Sequence, residues 1–104
     1  MNEVSLMRKI QLEAPKHGVV LFRNNTGRLK APNGQWVQYG LCVGSTDLVG
    51  YTKTGGRFIA LEVKMPGNEP TEAQVNFIRQ VVNAGGIGGV VYSLEEALAL
   101  LNNP

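Results

Sequence analysis

Residues 57–64, Arg-Phe-Ile-Ala-Leu-Glu-Val-Lys, narrow the choice of fold more than any other stretch of the chain. Gly55-Gly56 precede them and Pro66-Gly67 follow, so the apolar run between reads as one strand. Side chains alternate along a strand, which puts Leu61 and Val63 on one face and Glu62 and Lys64 on the other. A carboxylate beside an ammonium at the end of such a strand has two readings. It is an ion pair at a strand end, or a metal ligand next to a lysine that orients water.

The preceding segment bears on that choice. Gly40-Leu-Cys-Val-Gly44-Ser-Thr-Asp47 is a glycine-punctuated turn leading into a strand at Leu48-Val49-Gly50-Tyr51. A hairpin at Thr52-Lys-Thr-Gly-Gly-Arg57 returns the chain directly into the Phe58 strand. Four residues, 48 to 51, lie between Asp47 and the turn, and four, 58 to 61, between the turn and Glu62. Antiparallel pairing therefore brings Asp47 near Glu62 at one end of the sheet.

Upstream, Asn2 caps a helix that starts at Glu3, where the helix dipole favours a carboxylate. Val4, Met7 and Ile10 form its apolar stripe with Leu6 beside it, and Pro15 and Gly18 end it. Val19-Val20-Leu21-Phe22 reads as a short buried strand. Residues 23–34 read as a long polar loop with Arg23, Arg28 and Lys30 and three asparagines, Asn24, Asn25 and Asn33, but no acid. These side chains suit phosphate contacts; the competing reading is a flexible, soluble loop. Trp36-Val37-Gln38-Tyr39 reads as a short strand, with Trp36 expected in the core in preference to offering its face to a base.

Downstream, Thr71 and Gln74 form a capping box that opens a second long helix. Ala73, Phe77, Ile78, Val81 and Val82 make its buried face, and Gly85-Gly86 stop it. A strand at Gly88–Tyr92 follows, then a capping box at Ser93–Glu96 and a helix through Ala97, Leu98 and Leu101 to a frayed Asn102-Asn103-Pro104. The strand–helix–strand unit over 58–92 implies a parallel pair. The expected class is α/β, a mixed sheet flanked by helices in the order α-β-β-β-α-β-α, as one domain spanning residues 1–104.

Composition excludes several functions. His17 is the single histidine and Cys42 the single thiol, so zinc lacks a ligand set and no disulfide framework exists. Cys42, between Leu41 and Val43, is expected as a small core residue. No Walker-type phosphate loop is present, so no nucleotide cofactor is expected. Arg8 and Lys9 interrupt the N-terminal apolar residues and no run is long enough for a membrane span, which points to a soluble, cytoplasmic protein. Net charge is +2 but uneven: residues 1–57 hold eight cations and three acids, residues 58–104 two cations and five acids. A basic half is compatible with a polyanionic partner. Two close carboxylates supply hard oxygen ligands for Mg2+ or Mn2+, and a lysine beside them offsets charge built up in a transition state.

The order Glu3, Gly44-Ser-Thr-Asp47, Leu61-Glu62-Val63-Lys64, Thr71-Glu-Ala-Gln74, together with Arg23-Asn24-Asn25, resembles the PD-(D/E)xK nuclease superfamily. More closely it is similar to the VRR-NUC (virus-type replication-repair nuclease) family. The resemblance runs from Glu3 to Ser93. Thr46 stands where many relatives have proline, at a position that shapes the turn and does not bind metal. The resemblance implies a restriction-endonuclease-like core with Asp47 and Glu62 as the main metal ligands, the Val63 carbonyl as a third and Glu3 as a further metal or water ligand. It implies that Lys64 orients or activates the attacking water and that Gln74 supports Lys64 or the scissile phosphate. It further implies a Mg2+- or Mn2+-dependent DNA endonuclease, favoured here as a homodimeric Holliday-junction resolvase of a bacterial or phage-infected cell. A flap-directed, nick-directed or non-selective nuclease and a non-cleaving DNA-binding or assembly module are the alternatives. Arg23, Asn24, Asn25, Arg28 and Lys30 are the candidate DNA contacts.

Overall fold

The computed structural model describes residues 1–102, and the loosening expected at Asn103-Pro104 lies outside the described residues. Asn2 caps α1 (Glu3–Glu13), its side-chain oxygen accepting from the Ser5 amide at 2.8 Å. A short 3-10 turn, Ala14–His17, ends at Gly18 with φ at 77°, a conformation that favours glycine. Then come β1 (Val19–Arg23), β2 (Gly27–Lys30), β3 (Trp36–Tyr39), β4 (Leu48–Thr52), β5 (Phe58–Val63), α2 (Glu72–Asn83), β6 (Ile87–Val91) and α3 (Leu94–Asn102). The α2 capping box forms in full and the one expected at α3 forms in part. Thr71 and Gln74 exchange bonds at α2, while at α3 Ser93 accepts from the Glu96 amide and Glu96 reaches back to the Tyr92 amide.

Five strands precede α2, against three in the expected order and four stretches read as strands along the chain. Residues 27–30, read as loop, pair antiparallel with 36–39 as a separate two-stranded ribbon, with Leu29 opposite Val37 and Lys30 opposite Trp36. Asn33 serves the tip of this ribbon by accepting from the Gln35 amide. The main sheet runs β1-β4-β5-β6, antiparallel except for the parallel pair β5 and β6. This is the mixed sheet flanked by helices that the strand–helix–strand pattern implies.

The sheet has two unequal faces. One carries Leu21, Leu48, Ile59, Leu61, Val63, Ile87 and Val91, and packs with Leu6, Met7 and Ile10 of α1 and Ala97 and Leu101 of α3 into a closed apolar core. Burial of these aliphatics, at roughly 25 cal/mol per Å2, is the main force holding the fold. Val4 falls off the expected stripe and stays exposed. The other face carries Ala60, Glu62 and Lys64 and is covered by α2. Glycines in β6 set both approaches: a Cβ on Gly88 would meet Ile78 of α2, and one on Gly89 would meet Leu100 of α3.

The cover from α2 is thin. None of its residues is fully buried: of the face expected at Ala73, Phe77, Ile78, Val81 and Val82, Phe77, Ile78 and Val81 are half-buried and Ala73 and Val82 are exposed. Beyond α2, Phe22, Tyr51 and Phe58 lie open on the same side of β1, β4 and β5. Cys42 is exposed too, because its turn lies outside the core. Trp36, expected in the core, is 60% exposed. Among the described residues no helix is long and apolar enough to cross a membrane.

Two glycines give a test of this packing. A side chain at Gly50 in β4 would run into the Val20 carbonyl oxygen of β1, which is backbone and cannot turn aside. One at Gly89 meets only the end of the flexible Leu100 side chain, at 2.8 Å. Gly50→Ala should therefore cost about 2 kcal/mol in denaturant unfolding and Gly89→Ala less than about 1 kcal/mol.

Candidate active site

Asp47 and Glu62 meet where the sheet register carries them. The pair Leu48 with Leu61 closes the β4–β5 ladder, and the next step along would pair Asp47 with Glu62. Here the side chains take over from the backbone. The Asp47 amide donates to Glu62 Oε1 at 3.1 Å, and the Val63 amide donates to Asp47 Oδ2 at 3.1 Å. Each carboxylate therefore has one oxygen anchored to the opposite strand. Lys64 projects on the same side, its Nζ 3.5 Å from Glu62 Oε2.

Glu62 is 1% exposed. Its pKa is raised from the usual 4.5 to about 7, first by burial and then by the neighbouring Asp47 charge. The Asp47 amide and the Lys64 charge pull in the other direction without cancelling these effects. A buried acid pushed this far and sitting against a second acid is an electrostatic cost that a cation would remove. The remaining donors, Asp47 Oδ1 and Glu62 Oε2, are hard oxygens of the kind that suit Mg2+ or Mn2+. Asp47 and Glu62 thus fit a divalent cation on their chemistry.

Asp47 is held in place by a residue read as a DNA contact. The Asn24 amide donates to the Asp47 carbonyl at 2.8 Å. The Asn24 side-chain nitrogen donates to Ser45 Oγ at 2.7 Å and to the Thr46 carbonyl at 2.8 Å, and its oxygen accepts from the Leu41 amide at 3.2 Å. Both amide hydrogens are in use, so Asn24 latches the turn that carries Asp47 and has none left for a phosphate. Ser45 Oγ donates in turn to the Cys42 carbonyl at 2.6 Å, and buried Thr46 donates to the Leu48 carbonyl at 3.0 Å. On the far side of the turn, Gly44 at φ 87° lies against Ala73 in the first turn of α2.

The other expected site residues are distributed differently. Glu3 sits half-buried in the first turn of α1. That helix packs on the sheet face opposite Glu62, and among the described residues no three His, Cys, Asp or Glu side chains come close enough to hold a metal together. Glu3 is thus not brought into the carboxylate pair. Gln74 has its oxygen in the capping box, accepting from the Thr71 amide at 2.9 Å. Arg23 donates to Asn25 Oδ1 at 2.9 Å, both side chains exposed. Arg28 lies over the Trp36 ring, 5.2 Å from its centroid. Lys30 is exposed on the same ribbon.

The VRR-NUC domain model matches residues 1–95 of this chain. No curated protein matches it.

Two predictions follow from the carboxylate pair and its latch. A raised folded-state pKa means that the folded protein holds the Glu62 proton more tightly than the unfolded chain does. That contribution is full below pH 4.5 and is lost as pH rises through about 7. Metal-free protein should therefore lose on the order of 3 kcal/mol from this group between pH 4.5 and 8, read by urea unfolding. Glu62→Gln should abolish most of that slope and be the more stable protein at pH 8. Asn24→Ala should destabilise by about 2–4 kcal/mol, since it strips partners from Leu41, Ser45 and Thr46.

Proposed function

Since the chain belongs to the VRR-NUC family and is accordingly a nuclease domain with DNA as its substrate, we propose that it is a divalent-metal-dependent, structure-specific endonuclease that resolves four-way DNA junctions. The observation that supports metal-dependent cleavage is the interlocked Asp47–Glu62 pair with Lys64 on the same face. Asp47, Glu62 and the Val63 carbonyl would hold Mg2+ or Mn2+. When bound, the cation supplies Lewis-acid polarisation of a phosphodiester.

The chain's own residues do the rest. Lys64, tethered to Glu62, orients a water in line with the scissile bond and offsets negative charge on the phosphate as it reacts. The water oxygen bonds to phosphorus and releases a proton to solvent, the P–O3′ bond breaks, and O3′ takes up a proton from solvent. The products are a 5′-phosphate and a 3′-hydroxyl. Gln74 Nε2, which the capping box does not use, is assigned to the scissile phosphate.

Resolving a junction takes two symmetric cuts, and a two-fold pair of chains would supply two sites. The apolar stripe of α1 is not free to pair the chains, because Leu6, Met7 and Ile10 are buried in the core. We assign pairing instead to the open sheet face at Phe22, Tyr51 and Phe58, where the Phe22 and Tyr51 rings lie tilted to each other with centroids 6.3 Å apart.

With Mn2+ the protein should cut a four-way junction in preference to a flap or a linear duplex, and equal cutting of all three would refute junction selectivity. Lys64→Ala should lower cleavage by about 100-fold or more while DNA affinity changes little, because affinity comes largely from phosphate contacts elsewhere. Tyr51→Glu should shift the protein from dimer to monomer in sedimentation.

A further inference from the structure

The β2–β3 ribbon stands clear of the core. The radius of gyration is 14.2 Å, against about 13 Å for a closely packed chain of this length. Its register sorts eight side chains onto two faces. Gly27, Leu29, Val37 and Tyr39 share one, and the Tyr39 ring lies so close over Gly27 that any side chain there would strike its hydroxyl. Leu29, Val37 and Tyr39 pair across the strands on that face and stay exposed. Arg28, Lys30, Trp36 and Gln38 share the other. It carries two cations and the only tryptophan of the chain, 60% exposed with Arg28 over its ring. A two-stranded ribbon is marginal by itself in water, and an indole held open on it serves no core.

Charge selects what the open face meets. No acid occurs from Ala14 to Thr46, while Lys16, Arg23, Arg28 and Lys30 lie in that span. A second copy would set like charges against each other here; a polyanion is attracted. The root of the ribbon is also at the carboxylate pair, because Asn24 joins both its ends to the turn carrying Asp47.

We propose that this ribbon is a DNA-gripping wing in which Trp36 stacks on an unpaired base beside the cleavage point while Arg28 and Lys30 hold the flanking phosphates. Arg28 already braces one side of the ring and leaves the remainder for a base. Paired duplex hides its base faces, whereas branch points and single-stranded tails present them. The wing thus rests on the nuclease reading and gives it a means of telling distorted DNA from continuous duplex.

The single tryptophan makes the test direct. In EDTA, where no cleavage occurs, a forked oligonucleotide should quench Trp36 emission strongly, and a blunt duplex of equal length only weakly. Trp36→Ala should weaken fork binding roughly 10-fold in a mobility-shift assay, and Trp36→Phe should restore much of it. Arg28→Ala should flatten the salt dependence of log affinity by about one. Both alanine variants should keep wild-type Mn2+ affinity by calorimetry, which shows that the Asp47–Glu62 end is still folded. Equal quenching by fork and duplex, wild-type fork affinity in Trp36→Ala, or quenching that grows with protein concentration without DNA would each overturn the wing. Fork-selective quenching by a protein that cuts no DNA with any metal would support the wing and overturn only the nuclease mechanism.

Discussion

Two carboxylates hold each other in place at the end of β4 and β5, and much else in the structure answers to that arrangement. An ordinary antiparallel ladder would continue past Leu48 and Leu61 through backbone groups. Here the Asp47 amide bonds the Glu62 side chain and the Val63 amide bonds the Asp47 side chain. The exchange satisfies two backbone donors that would otherwise be buried without partners. It also fixes two like charges side by side, one of them almost wholly removed from water. Folding tolerates this because Glu62 can keep its proton near neutrality. The fold thus gives up stability at the one place where a dication would return it.

The unequal faces of the sheet follow from the same demand. Ile59, Leu61 and Val63 are 0% exposed and lock β5 into the core from one side. That anchorage lets the opposite side of the same strand carry Ala60, Glu62 and Lys64 without a second closed core above them. A fully packed α2 would seal this face and keep a polymeric substrate out. Instead α2 has no fully buried residue, and its N-terminal turn stands against the loop that presents Asp47. A helix N-terminus at that point favours an approaching anion.

What the sequence disclosed, and what it withheld, divides by the range of the forces involved. Strand alternation and a symmetric count around one hairpin are local, and they were enough to place Asp47 beside Glu62 and to put Lys64 on the same face. Both helix caps were legible for the same reason. The role of Asn24 was not, since its partners lie 17 to 22 residues away across a ribbon whose first strand went unread. That ribbon was hidden by composition: Asn24, Asn25, Gly27, Asn33 and Gly34 are turn formers, and only cross-strand pairing makes 27–30 a strand. Trp36 followed the general rule that large aromatics are buried, which fails when the strand bearing them has no core to face. Glu3 is a matter of sheet sides, which one-dimensional spacing does not encode.

Asn24 then connects the two functional ideas physically. Its backbone continues β1 toward the ribbon, its main-chain amide holds the Asp47 carbonyl, and its side chain ties the ribbon's exit at Leu41 to Ser45 and Thr46. The distance from the Trp36 face to the carboxylate pair is therefore set by a latch of hydrogen bonds, partly shielded from water, and by a ribbon with its own cross-strand pairs. A flexible linker would let the gripping element find DNA without fixing where the cut falls. On the proposed reading, a latched ribbon ties the place where DNA is gripped to the place where it is cut, which is what reading DNA structure rather than sequence requires.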